Sequence, residues 1–270
     1  MLQHLEYESL GEQLWDTFTS FFANPSIFGI GLAVAFGTIW LLCYWPPLFK
    51  NAWLWAVMAG SAILTLSAMS FIEIPLAFGT GQVLMYFWSQ EVIMRWFALA
   101  VIAQLVLSGL VQEGCKLVPV VIYWWRKGKN LDPKLGLVIG AVGGAGFGIL
   151  EAQWIHNTLI ASGWGWANVQ AVGLSALVVF WERFLTVAFH TAACALAGYG
   201  LARGWGWQFY LLVSFLHALL YCPILFAEIG LLSSFQMEMF AAAVAMLTAA
   251  AALWLRWRKP AAAVEARKAH

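Results

Sequence analysis

Eight ionisable or amide side chains interrupt four otherwise apolar stretches of this sequence: Gln112, Glu113 and Lys116 in one, Glu151 in the next, Glu182, Arg183 and His190 in a third, and His217 in a fourth. A charge in an apolar core costs a few kcal/mol or more, so residues of this kind turn into a bundle interior and mark a site. Spacing predicts local partners: Glu113 and Lys116 are three apart, Arg183 and His190 share a face, and Glu182, Thr186 and His190 form a second row at helical intervals. Taken singly, Glu113 with Lys116 reads as a neutralising ion pair and His217 as a satisfied core histidine. Taken together they suit the activation of water. A desolvated carboxylate serves as general base, and an imidazole shares the proton or donates to a developing oxyanion. The same four residues, Glu113, Glu151, His190 and His217, are also candidate ligands for zinc, whose catalytic sites combine three protein N/O donors with an open position for water. No HExxH helix, the most specific sequence sign of such a metal site, is present.

The elements that must position these groups are membrane helices. Hydrophobic residues make up 63% of the chain and charged ones only 10%, which a water-soluble domain could not bury. A bilayer-spanning helix needs roughly 20 mostly apolar residues, and seven stretches meet that length: 27–45, 52–72, 95–123, 135–157, 169–198, 206–228 and 235–256. Residues 73–90 leave room for a short re-entrant piece. The expected fold is therefore an all-α polytopic helical bundle of about seven transmembrane helices, its membrane domain covering 25–258 with the site inside 95–225. Residues 1–24 lack the basic start and apolar core of a cleavable signal peptide. Leu10, Leu14, Trp15, Phe18, Phe21 and Phe22 recur there at helical spacing, which predicts an amphipathic helix lying in the membrane interface.

Basic residues orient the bundle. Arg126, Lys127, Lys129 and Lys134 fall in one loop, Arg203 in another, and Arg256, Arg258, Lys259, Arg267 and Lys268 at the end, so these are expected to be cytoplasmic, with residues 259–270 a basic tail. That places the N-terminus outside and the C-terminus inside. Glu113 lies 13 residues from Arg126, His190 13 and His217 14 from Arg203, and Glu151 17 from Lys134. At 1.5 Å per residue all four sit roughly 20 to 25 Å in from the basic side. Gly136, Gly140, Gly144 and Gly148 form a stripe at four-residue intervals that predicts close helix packing beside Glu151. Trp124, Trp125, Trp164, Trp166, Trp205 and Trp207 read as interfacial anchors, and Cys43, Cys115, Cys194 and Cys222 as free thiols. A net charge of +1 gives no reason to expect a nucleic-acid partner.

Gln112-Glu113-Gly114-Cys115-Lys116, then Gly146-Phe147-Gly148-x-x-Glu151, then Glu182-Arg183 with His190, then His217, resembles in order and spacing the PrsW and YhfC families of intramembrane proteases, related to the CAAX-prenyl endopeptidases and bacteriocin-processing proteases. The resemblance covers residues 95–225. It implies a hydrolase that cuts peptide bonds of membrane-embedded or membrane-anchored substrates, glutamic in type or metal-assisted, in a prokaryotic inner membrane. Glu113 with Lys116 takes the first motif position, Glu151 the second, His190 the third and His217 the fourth. Gln112 replaces the leading glutamate of the usual pair, and Tyr221 stands where many relatives place Asn or Asp. Either Glu113 or Glu151 then takes the base role, or the chain is a catalytically inactive scaffold of the same fold. Since chains of intramembrane Glu, His and Arg also relay protons, a proton-coupled transporter is the alternative outside proteolysis.

Overall fold

The computed structural model describes residues 10–228 and 230–259, which are helical with no strand among them. In chain order the helices are α1 (Leu10–Ser20), α2 (Ile27–Leu42), α3 (Trp53–Ala68), α4 (Ile74–Phe87), α5 (Gln90–Arg95), α6 (Phe97–Arg126), α7 (Pro133–Ala161), α8 (Trp166–Val172), α9 (Val178–Ala202), α10 (Gly206–Glu228) and α11 (Ser234–Trp257). Glu6 and Glu8, and the tail basic residues Arg267 and Lys268, lie outside the described residues. Among the described residues, six helical runs are long and apolar enough to cross a membrane, and α2, of 16 residues, is a shorter apolar helix. The chain is an integral, multi-pass membrane protein. Its helix starts follow from local chemistry. Asp132 accepts a bond from the Leu135 amide just ahead of Pro133, Ser26 caps α2, and Ser233 with Gln236 forms a capping box on α11.

Two elements differ from the pattern expected of the sequence. The second span does not end near residue 72, and no re-entrant piece follows it. A π-turn, Met69–Glu73, joins α3 to α4 in one continuous run from Trp53 to Phe87. Pro75 would ordinarily break a helix, but it falls in the first turn of α4, where the hydrogen-bond ladder is already shifted and its missing N–H leaves no gap. The fifth expected span lies within the helical run Trp166–Ala202, but that run is divided and α9 itself begins at Val178. Gly173, at a φ of +68°, ends α8 and opens a 3-10 turn before α9.

Helix ends pair in two groups. Arg256 Nε donates to the Tyr44 carbonyl and Trp257 Nε1 to that of Cys43 (2.8 and 3.0 Å), Arg258 reaches Tyr199 Oη (2.6 Å), and Lys134 Nζ reaches the Arg258 carbonyl (3.0 Å). The chain after α2 and the ends of α7, α9 and α11 that carry basic residues thus meet at one end of the bundle. At the other, Asn157 Oδ1 near the end of α7 accepts from the Ser26 amide (3.1 Å), and buried His156 bonds the Gly29 carbonyl (3.3 Å). Phe21, just past α1, is buried against Trp154, their rings 4.8 Å apart, so part of the apolar side of this segment packs on the bundle itself. Trp125, Trp166, Trp205 and Trp207 are exposed at helix ends, and the four cysteines are free thiols.

The core is α7 against α9, with α2 and α3 on the remaining faces of α7. A Cβ at Gly136 would collide with the Gly198 carbonyl, one at Gly140 with that of Cys194, and one at Gly144 with that of His190; Gly148 faces Val187. Each glycine seats one turn of α9, and the backbone of His190 is located by Gly144. Gly144→Ala is therefore expected to lower stability by about 1–3 kcal/mol through overpacking. Gly31→Ala, where nothing lies within 4 Å, should leave it within about 0.5 kcal/mol, both read as thermal unfolding in detergent.

Candidate active site

Four helices bring the ionisable layer together. α6 supplies Glu113 and Lys116, α7 Glu151, α9 Arg183 and His190, and α10 His217, and Glu113, Lys116 and His190 are wholly buried. Lys116 Nζ sits between Glu113 Oε1 (2.5 Å) and His190 Nδ1 (2.8 Å). His190 Nε2 lies 3.1 Å from Glu151 Oε2, and Arg183 Nη1 closes on the same oxygen at 3.7 Å. Arg183 is also paired with Glu182. His217 Nδ1 lies 2.8 Å from Glu113 Oε1. Phe147 backs the cluster, its ring 4.8 Å from Lys116 Nζ and edge-on to His190 at 4.9 Å.

These contacts assign the protons. A lysine ammonium only donates and a carboxylate only accepts. His190 Nδ1 therefore accepts from Lys116, and its Nε2–H donates to Glu151. His217 donates Nδ1–H to Glu113, which leaves the lone pair on Nε2. Besides the donor Arg183 Nε, two buried atoms of the cluster have no partner, Glu113 Oε2 and His217 Nε2. Both are acceptors aimed at nothing of the protein, so the site is shaped to receive a donor or a cation.

The donor set fits a divalent metal. Glu113, His190 and His217 each offer a ligand atom, all within 4.8 Å of one another, and one carboxylate with two imidazoles is an ordinary set for zinc. Glu151 stands outside that trio as the hydrogen-bond partner of His190, in the position of the groups that orient metal-binding histidines. Lys116 engages Glu113 and His190 at the same time, so ammonium and metal would draw on shared donors.

Gln112 points elsewhere. Its Nε2 donates to Glu73 Oε2 (3.2 Å) and to Ser108 Oγ (3.1 Å). Glu73, at the end of the π-turn, was not among the residues expected from the sequence; an acid inside an apolar run, in the stretch left open as re-entrant, was its signal. Tyr221 lies with its ring 5.3 Å from that of His217. With Glu182, Thr186, Leu220, Met237 and Glu238 it lines a cleft of about 250 Å³ between α9, α10 and α11. That cleft is open beside the buried cluster.

Residues 50–257 match the family described as PrsW family intramembrane metalloprotease. No curated protein and no solved structure matches the chain.

Proposed function

We propose, for a chain that belongs to the PrsW family of intramembrane metalloproteases, that the cluster of Glu113, Glu151, His190 and His217 is its hydrolytic centre and cuts peptide bonds of membrane-embedded or membrane-anchored substrates. The observation that carries this reading is the pair of buried, unpartnered acceptors, Glu113 Oε2 and His217 Nε2, on two facing helices. Each acid is held through one oxygen, Glu151 by His190 and Arg183 and Glu113 by Lys116 and His217; the base role is given to Glu113 because its second oxygen, Oε2, is buried without a partner. Water held between Glu113 Oε2 and His217 Nε2 attacks the carbonyl carbon of the scissile bond. Its proton passes to Glu113 as the C–O bond forms, and the carbonyl electrons move to oxygen. Lys116 keeps one N–H beyond its bonds to Glu113 and His190, and that ammonium stabilises the oxyanion. When the C–N bond breaks, Glu113 returns the proton to the departing nitrogen. Glu151 holds His190 in the tautomer that accepts from Lys116. Glu151→Gln is accordingly expected to lower kcat about 10- to 100-fold, the usual cost of losing a group that orients a catalytic imidazole, in a peptide-cleavage assay.

Glu113, His190 and His217 are the residues that would hold a divalent ion such as zinc, whose chemistry is to make a bound water acidic near neutral pH. Elemental analysis of the purified, active protein decides how water is activated. Zinc at one per chain, lost in His217→Ala, assigns metal assistance, and full turnover at trace metal assigns Glu113 alone.

The cleft lined by Glu182, Tyr221 and Glu238 is the proposed lateral entry for substrate. The orientation is N-terminus outside and C-terminus inside a prokaryotic inner membrane, with the basic loop after α6 on the cytoplasmic side. The orientation rests on the charge bias and on the end of the bundle where Arg256, Arg258 and Lys134 meet; the prokaryotic inner membrane rests on the family resemblance alone. The test is purified protein in proteoliposomes with a panel of membrane-anchored peptides. Cleavage is expected, and solute flux without any cleavage would overturn the reading in favour of a carrier.

A further inference from the structure

The amide of Gln112 is locked. A carboxylate only accepts hydrogen bonds, so the group that faces Glu73 Oε2 is the amide nitrogen, and the second N–H of that nitrogen is taken by Ser108 Oγ. With both donors used, Gln112 Oε1 has a set direction. That oxygen is buried and has no partner, on a residue only 6% exposed. It stands on the residue immediately before Glu113. A fixed, buried acceptor at membrane depth, one residue from the base along α6, calls for a donor from outside the protein.

A membrane-spanning substrate supplies one. A helical peptide bond is shielded by its own hydrogen bonds, so cleavage requires local unwinding, which strips backbone N–H groups of their partners where no lipid group can replace them. We propose that Gln112 Oε1 accepts a backbone N–H of the unwound substrate next to the scissile bond, and that Glu73 and Ser108 are positioning residues that hold the amide for it. This rests on the proteolytic reading above and adds to it a substrate class: a peptide presented in extended form at the site. The glutamine is then a working part of the site. Its place on α6 and the π-turn that brings Glu73 against it act as one unit.

The test is an amide-to-ester scan through the scissile region of a membrane-spanning peptide that the wild type cleaves. An ester oxygen removes one N–H at a time. In the wild type one position should lose about 10- to 100-fold in kcat/KM, the effect of leaving a buried acceptor unpaired. Gln112→Met should lose a similar factor on the all-amide peptide and show no further loss at that position. Gln112→Glu sets two carboxylates together and should lose more than about tenfold, whereas Glu73→Gln/Gln112→Glu, which restores a donor and an acceptor, should return to within about fivefold of wild type. A flat ester scan in a wild type that cleaves, or a folded swap variant that recovers nothing, overturns the role of Gln112 alone. A wild type that cleaves no peptide of the panel overturns the proteolytic reading, and this inference with it.

Discussion

Glu113→Gln is expected to lower kcat by about 10²- to 10⁴-fold while leaving KM nearly unchanged, the loss typical of removing a general base. The substitution keeps shape and volume. Its amide oxygen can still face Lys116, so the buried lysine keeps an acceptor, although it loses the charge that balances it and the variant is expected to be less stable than wild type. What disappears is the basicity of Oε2, the carboxylate oxygen that no protein group engages. Single-turnover cleavage of a membrane-anchored peptide, with thermal unfolding as the control for folding, reads the difference. Activity within about threefold of wild type in a folded variant would remove Glu113 from the base role and return it to Glu151 or to a metal-bound water.

The second large effect is expected on stability. Lys116 is wholly buried and held by Glu113 and His190. Lys116→Met fills much the same volume but removes the charge that balances Glu113. Breaking one side of a buried pair typically costs about 3–5 kcal/mol, because the other charge is left uncompensated, whereas replacing both sides is often close to neutral. Lys116→Met alone should therefore unfold at markedly lower temperature or denaturant. Lys116→Met/Glu113→Gln should recover most of that loss while remaining inactive. A double variant no more stable than the single one would show that Lys116 stabilises the fold by packing rather than by pairing. The combined outcome separates stability from chemistry, since the same two residues are asked to do both.

Several features are legible because they follow from the regular geometry of single helices. The glycine stripe from Gly136 to Gly148 marks the face of α7 that lies on α9, since only a residue without a Cβ lets the two backbones approach so closely. Glu113, Glu151, His190 and His217 could be placed at a common depth by counting from basic residues, because rise per residue is a constant of the helix. Glu73 escaped notice since its stretch carried Pro75, which reads as a break, and a π-turn has no clear sequence mark. The division of the fifth run between α8 and α9 is hidden in the sequence for a related reason. The apolar run continues through residues 166–177, and only backbone geometry at Gly173 divides it.

Sequence alone determined that the solvent is lipid, that the elements are helices, which side chains must hide from that lipid, and which family of hydrolases the order of motifs resembles. Those properties are written in composition, in period and in spacing within single helices. Tertiary structure alone decided the partners: Lys116 with His190 across 74 positions, Glu113 with His217 across 104, and Gln112 with Glu73 across 39. It also decided which oxygen of Glu113 and which nitrogen of His217 stay free. The physical reason is that hydropathy and periodicity say which face of a helix turns inward, while the atom it meets depends on the rotation and register of helices packed from distant parts of the chain.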